Sequence, residues 1–253
     1  MTLSDIDFKL HKTCSFEEKV VQDFLFVENT VFGLQLDYSY FKRKFEDNLY
    51  GPSIIVIAYL KDKPIAADAL WRNDIDGKCA YQSTDTAVMS ECRGRGVFKR
   101  LVEEKLSLVE DDAIVYGFPN QNSYPGFIKM GWLLTGVYYT SFYKGYKHFS
   151  SINGQKIDVD YAKWWFSGRP SYYAIKKSNH FFLVAKRNKI VYSIIGEINE
   201  DTAREFMLVK GFSILICKSN KKNLLSRNRI PMRIIVRGAN EQLNIPLWKM
   251  DAI

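Results

Sequence analysis

The stretch from Thr84 to Val109 constrains the fold more than any other part of this chain. An apolar, β-branched segment, Thr84 to Met89, runs into the basic turn Arg93-Gly94-Arg95-Gly96, and a helical pattern follows from Phe98 to about Val109. Strand, glycine turn and helix N-terminus in that order predict an anion site. Gly94 and Gly96 let the backbone turn sharply and approach a ligand closely. The unpaired N–H groups of the helix's first turn, backed by the positive end of the helix dipole, then face that ligand. Phosphate or pyrophosphate is the predicted guest.

The flanking sequence alternates helix and strand signals. Val20, Val21, Phe24 and Leu25 fall at helical spacing behind Ser15-Phe16-Glu17-Glu18, and Tyr38 to Leu49 reads as an amphipathic helix stopped by Gly51-Pro52. Ile54–Tyr59, the turn Lys61-Asp62-Lys63 and Pro64–Trp71 predict a hairpin, and Ala80–Met89 a further strand. Ala113–Phe118 is a short strand. Ser123-Tyr124-Pro125 predicts the cap of a short helix ending at Gly131, and Trp132–Phe142 returns as strand. Beyond Tyr146, a short helix is expected at Asp158–Trp165 and another at Thr202–Lys210. Strands are expected at Tyr172–Lys176, Phe181–Lys186, Ile190–Ile198, Phe212–Cys217 and Met232–Val236. The hairpin around Arg187-Asn188-Lys189 echoes the one around Lys61-Asp62-Lys63. Either the second half is built like the first, or two hairpins resemble each other by chance.

Charge divides the chain. Residues to Tyr146 hold 17 basic and 20 acidic side chains, net −3, and the remainder 19 and 8, net +11. Two units are therefore expected, at 1–146 and 147–253, the second a smaller mixed α+β domain. Its basic surface, including the run Lys221 to Arg229, is either a solubilising face or a surface for an anionic partner, nucleic acid among the candidates. Apolar runs such as Ser53–Leu60 are too short for a membrane helix, and Met1–Leu10 is too acidic and mixed for a signal peptide. With that reading, reduced thiols are expected for Cys14, Cys79, Cys92 and Cys217, and the chain reads as cytoplasmic. His11, His148 and His180 lack ligand spacing, so no metal is expected. Trp164-Trp165, Arg169 and Tyr172-Tyr173 form an aromatic and basic cluster suited either to stacking on sugars or bases or to packing.

Two local matches in residues 8–144 resemble the GNAT acyltransferase superfamily. Val88, four residues and then Arg93-Gly94-Arg95-Gly96 are similar to its acyl-CoA signature, with Phe98 where that pattern carries a small residue. Asn120, Phe127, Gly131 and Trp132 are similar to a later segment in which Asn, Tyr, Gly and an aromatic recur at that spacing. The resemblance implies an α/β fold with a mixed central sheet flanked by helices, and the second unit would then be either a degenerate GNAT-like half or an unrelated domain. It implies an enzyme that moves an acetyl or acyl group from acetyl-CoA to an amine, an amino sugar or other small amine among the candidates. Backbone from Thr84 to Val88, Thr86 included, would pair with the pantetheine amides, and a strand-end N–H near Val88 would polarise the thioester carbonyl. The N–H groups from Arg93 to Lys99, with Gly94, Gly96 and Phe98 among them, would hold the pyrophosphate. Arg95, Lys99 and Arg100 would reach the remaining phosphate, and Asn120 the pantetheine arm. Phe127 cannot supply the acid that the family's Tyr provides, so Tyr124, one helical turn earlier, is the candidate acid, and Asp85, or else Asp68, the candidate base. A CoA-binding protein without catalysis and a nucleic-acid-binding module are the competing readings.

Overall fold

The computed structural model describes residues 2–153, 156–222, 231–238 and 245–250. The chain divides into two compact units, Met1–Leu133 with Ile235–Glu241, and Leu134–Ile234 with Gln242–Ile253. The division differs from the charge boundary at Tyr146, because one strand near the end of each half groups with the other half.

In the first unit, β1 (Ile6–Thr13), β2 (Ser53–Leu60), β3 (Lys63–Arg72), β4 (Ala80–Val88) and β5 (Ile114–Gly117) lie side by side in that order. Residues Ile235–Arg237 of β11 (Met232–Arg237) pair antiparallel with β5. The sheet is antiparallel through β4, and β4 and β5 are parallel, joined by α3 (Val97–Leu106). β2 is a run of β-branched and aliphatic residues buried from Ser53 to Tyr59, as a strand covered on both faces requires. The expected β2–β3 hairpin is present, and Lys61 and Asp62 both take positive φ, 50° and 64°, the backbone of a two-residue turn that matches strand twist. α1 (Glu18–Phe32) packs on β3 and β4, while α3 packs on β2 and β3. The expected helix at Tyr38–Leu49 forms as α2 (Tyr38–Phe41) followed by a π-helical turn, Lys42–Glu46. α4 (Tyr124–Lys129) closes the unit's core, where Phe127 and Trp132 meet Val102, Val115 and Ile235.

The second unit holds β6 (Leu133–Phe142, from Leu134 onward), β10 (Ile214–Ser219), β9 (Val191–Ile198), β8 (His180–Lys186) and β7 (Tyr172–Lys177), in that order. Its helices are α5 (Tyr146–Asn153), α6 (Val159–Tyr161) leading into a π-helical turn, Ala162–Phe166, and α7 (Glu200–Ala203). The connectivity of the first unit recurs: three antiparallel strands, a helix, a parallel strand, and an antiparallel neighbour beyond it. By that order β8–β9 corresponds to β3–β4, so the likeness of its turn to the one between β2 and β3 reflects no shared position. The helix expected at Thr202–Lys210 is four residues long and ends at Ala203. Of the basic run Lys221 to Arg229, residues 223–229 lie outside the described residues, and His148's side chain does also.

Candidate functional site

β4 and β5 pair only from Ala80/Ile114 to Ser83/Gly117. β5 ends at Gly117, whereas β4 continues to Val88, so the β5-side edge of Thr84–Val88 opens into a fork. A bulge bends β4 just past that point. Ala69 pairs with Thr84 and Ala67 with Ala87, leaving Asp85 and Thr86 opposite the single residue Asp68. Asp85 carries the extra turn with φ 49°, a left-handed backbone that Asp tolerates better than most side chains.

The chain leaves β4 through a short turn, Ser90–Cys92, and then the glycine loop. Gly94 (φ 72°) and Gly96 (φ 83°) both sit in the left-handed region, which is why glycine is needed at these two positions. Gly96 is the N-cap of α3, and no side chain caps the helix there. Backbone N–H groups of Val97, Phe98 and Lys99 therefore lack the usual intrahelical acceptor at an exposed helix end. Arg93 turns back on the strand, its Nε donating to Val88 O at 2.9 Å. Lys99 and Arg100 face Glu103 and Glu104 one turn later, at 3.6 and 2.5 Å. Cys92 is buried, as packing rather than nucleophilic chemistry requires.

Phe98 points away from the loop, with its ring against Phe127 at 5.3 Å between centroids and over Gly126. Its size therefore takes nothing from the anion site, and only its backbone can serve there. A Cβ at Gly126 would fall 2.6 Å from Phe98 Cε1. Gly126→Ala is expected to destabilise the protein by about 1–3 kcal/mol, the usual effect of overpacking. Paired thermal and urea denaturation of the variant checks this, and unchanged stability would show that Phe98 is free to move.

Asn120 braces the turn that leads into α4. Its Oδ1 accepts from Asn122 N and Ser123 N at 2.9 and 3.0 Å, while Ser123 makes no cap bond. The amide Nδ2 of exposed Asn120 remains available for a ligand. Tyr124 is half-buried against the core cluster that contains Phe127, and Phe127 itself is buried.

Sequence reasoning missed two lysines. Lys44, fully buried in the π-helical turn, reaches Asp85 Oδ2 at 2.7 Å, Tyr40 Oη at 3.0 Å and Thr84 Oγ1 at 3.4 Å. Lys105, fully buried in α3, donates to Asp68 Oδ1 at 2.5 Å, Ser83 Oγ at 2.8 Å and Ala69 O at 3.3 Å. The Thr86 hydroxyl donates to the same Asp68 oxygen at 2.7 Å, so its one proton is already committed. Burial pushes the Asp68 carboxyl up and the Lys105 amine down, against the mutual attraction of the pair. Both lysines fall on apolar helix faces, Lys44 three residues after Phe41 and Lys105 four after Leu101, and that placement is the signal that marks them.

Among the described residues the second unit carries no equivalent loop after β9. β9 runs through Asn199 straight into α7, and the Asn199 side chain caps that helix by accepting from Thr202 N at 2.7 Å. β9 is also bulged, between Leu183/Gly196 and Val184/Ile194, and its pairing with β10 stops at Ser193/Ile216. Protein fills the space beyond. Ile157 N donates to Glu197 O at 2.8 Å, and a Cβ on Gly196 would lie 2.6 Å from Ile157 Cγ1 and 3.4 Å from Trp248 Cδ1. The aromatic and basic cluster is likewise spent on packing, with the Arg169 guanidinium 4.8 Å from the Trp165 ring centre and 5.0 Å from that of Tyr172. Among the described residues no cluster of His, Cys, Asp and Glu is arranged to hold a metal, and no helix is long and apolar enough to cross a membrane.

No family model matches the sequence, and no curated protein matches it. Solved structures do. A GCN5-related N-acetyltransferase from Anabaena variabilis superposes on 91% of this chain and 72% of its own, with TM-score 0.58 and 14% identity. One from Kribbella flavida covers the same shares with TM-score 0.55 and 14% identity. A protein of Pyrococcus horikoshii matches 98% of this chain and 94% of its own, with TM-score 0.52 and 12% identity. The fold of this chain is the GNAT acyl-CoA N-acyltransferase fold.

Proposed function

We propose that this chain is an N-acyltransferase that moves an acetyl or other acyl group from a CoA thioester to an amine. The observation that carries the reading is the fork between β4 and β5, ending on an α3 N-terminus that glycine opens and no side chain caps. The N–H groups of Val97, Phe98 and Lys99 suit a pyrophosphate, and Gly94 and Gly96 let it come close. Arg95, Lys99 and Arg100 would exchange their present partners for the remaining phosphate of the cofactor. The edge of β4 from Thr84 to Val88, beyond its pairing with β5, would offer main-chain donors and acceptors to the two amides of the pantetheine arm, and Asn120 Nδ2 would reach the arm from the far side.

The acceptor nitrogen attacks the thioester carbonyl, the C–N bond forms, the C–S bond breaks, and the CoA thiolate leaves with a proton. Tyr124 is the proposed source of that proton. Asp85 is poorly placed as the base, because protonating it would strip the buried Lys44 ammonium of its carboxylate partner. Deprotonation of the amine is assigned to solvent. The +11 half favours an anionic acceptor or carrier, an amino sugar phosphate being one such class. We further propose that the second unit is a degenerate half with no acyl-CoA site of its own, because its fork is filled and its helix capped.

Thiol release from acetyl-CoA, measured over a panel of amines, tests the reaction. Turnover with at least one amine is expected, and Tyr124→Phe should lower kcat about 10–100-fold at neutral pH with KM for acetyl-CoA little changed. Acetyl-CoA binding without thiol release for any amine would instead support a CoA-binding protein that does no chemistry. An unaltered pH–rate profile in the Phe variant would remove Tyr124 from the mechanism.

A further inference from the structure

The bulge that parts β4 from β5 is gripped by two helices. Its first residue, Asp85, pairs with Lys44 from the π-helical turn, and its second, Thr86, is tied through Asp68 to Lys105 from α3. Both lysine side chains are fully buried, and so is that of Asp68. Asp68 stands opposite the bulge in the β3–β4 register, and its second oxygen, Oδ2, has no hydrogen-bond partner among the described residues. A buried ion pair is weak evidence for stability, since an apolar pair of like volume often does as well. What such a pair fixes is geometry. Here that geometry includes a non-glycine residue at φ 49°, a conformation that persists only where its surroundings hold it.

We infer that Lys44 and Lys105 are positioning residues for acyl-donor binding. Lys44 acts through Asp85 and Lys105 through Asp68 and Thr86, and together they hold the β4 bulge in the form that turns the edge of Thr84–Val88 away from β5. This assignment rests on the acyl-CoA reading above for its ligand, but the geometry it concerns can be read without ligand. The rim of the fork is thus set by charges buried behind it rather than by groups that touch the donor.

The test uses the full chain. Lys44→Met removes the cation and should weaken acetyl-CoA binding about tenfold in calorimetric titration. Adding Asp85→Gly to that variant should restore most of the affinity, because glycine adopts the left-handed backbone without a partner and leaves no carboxylate without its cation. A role confined to overall stability would not produce that rescue. Amide hydrogen exchange of the ligand-free proteins gives a second readout. Exchange from Thr84 to Val88 should speed up in Lys44→Met and slow again in the double variant. Thr86→Val, which leaves the Asp68–Lys105 pair intact, should loosen the same amides and takes over as the test if Lys44→Met does not fold. Wild-type affinity in a folded Lys44→Met protein, or a double variant as weak as the single one, would overturn the inference. If the wild type itself binds no acetyl-CoA, the functional reading fails, and the exchange rates alone decide whether the lysines hold the bulge.

Discussion

Gly96→Val is expected to reduce acetyl-CoA affinity about 100-fold while leaving the protein folded. Gly96 sits at φ 83°, where a β-branched side chain is a genuine outlier. Space is the smaller problem, since the nearest atom to an added Cβ is Leu3 Cδ1 at 3.1 Å, the end of a flexible side chain. The backbone decides the outcome. Relieving about 1–3 kcal/mol of strain rotates the peptide that aims the first N–H groups of α3. Those groups bind as a set, so misdirecting them loses most of their contribution, and each factor of ten is about 1.4 kcal/mol. Gly77→Val is the control. Gly77 has φ 75° with nothing within 4 Å of an added Cβ, and it lies in the turn before β4, away from the loop. It should lose comparable stability and no affinity. Equal losses of affinity in the two variants would show that strain anywhere in the unit, rather than the α3 N-terminus, governs binding.

Lys105→Met should have the largest effect on stability, about 3–5 kcal/mol, because it leaves the fully buried Asp68 carboxylate without its cation. The loss should depend on pH in a stated direction. Burial already places the Asp68 carboxyl above its ordinary value of 3.8, and removing the lysine takes away the attraction that opposes this. In the variant, the folded state holds a proton that the unfolded chain has released. The contribution of this group is therefore fully present below pH 3.8 and is lost as pH rises through the folded value. The deficit against wild type should be greatest at neutral and alkaline pH and shrink toward acid. Asp68→Asn combined with Lys105→Met removes both charges, keeps an acceptor for the Thr86 hydroxyl, and should recover much of the stability with a flatter pH dependence. Urea denaturation across pH measures all three proteins. A deficit that grows toward acid would contradict the burial argument.

The glycine loop was legible in the sequence because its signal is local. Gly94 and Gly96 sit between a β-branched run and a helical one, and both turn out to need a left-handed backbone. The β2–β3 hairpin and the Asn120–Trp132 segment were legible for the same reason. β1 was not read, although Ile6, Phe8 and Leu10 alternate with polar residues, because an edge strand of that length resembles any mixed terminus. The helix expected at Thr202–Lys210 stops at Ala203, and Met207 and Leu208 beyond it are exposed. Phe98 stands where the family pattern carries a small residue, and only the packing of α4 shows its ring turned into the core. Strand pattern marks Asp85 as a candidate base but does not reveal the bulge it sits in or the lysine that faces it. The grouping of β6 and Ile235–Arg237 with opposite halves depends on pairing between residues far apart in sequence, to which neither charge nor periodicity responds.

Calorimetric titration of the whole chain with acetyl-CoA tests the central claim most directly, that one fork, closed by one open helix N-terminus, holds the donor. The account predicts saturable binding with one site per chain, weakened about 100-fold in Gly96→Val. No heat of binding, or two equivalent sites per chain, would contradict it.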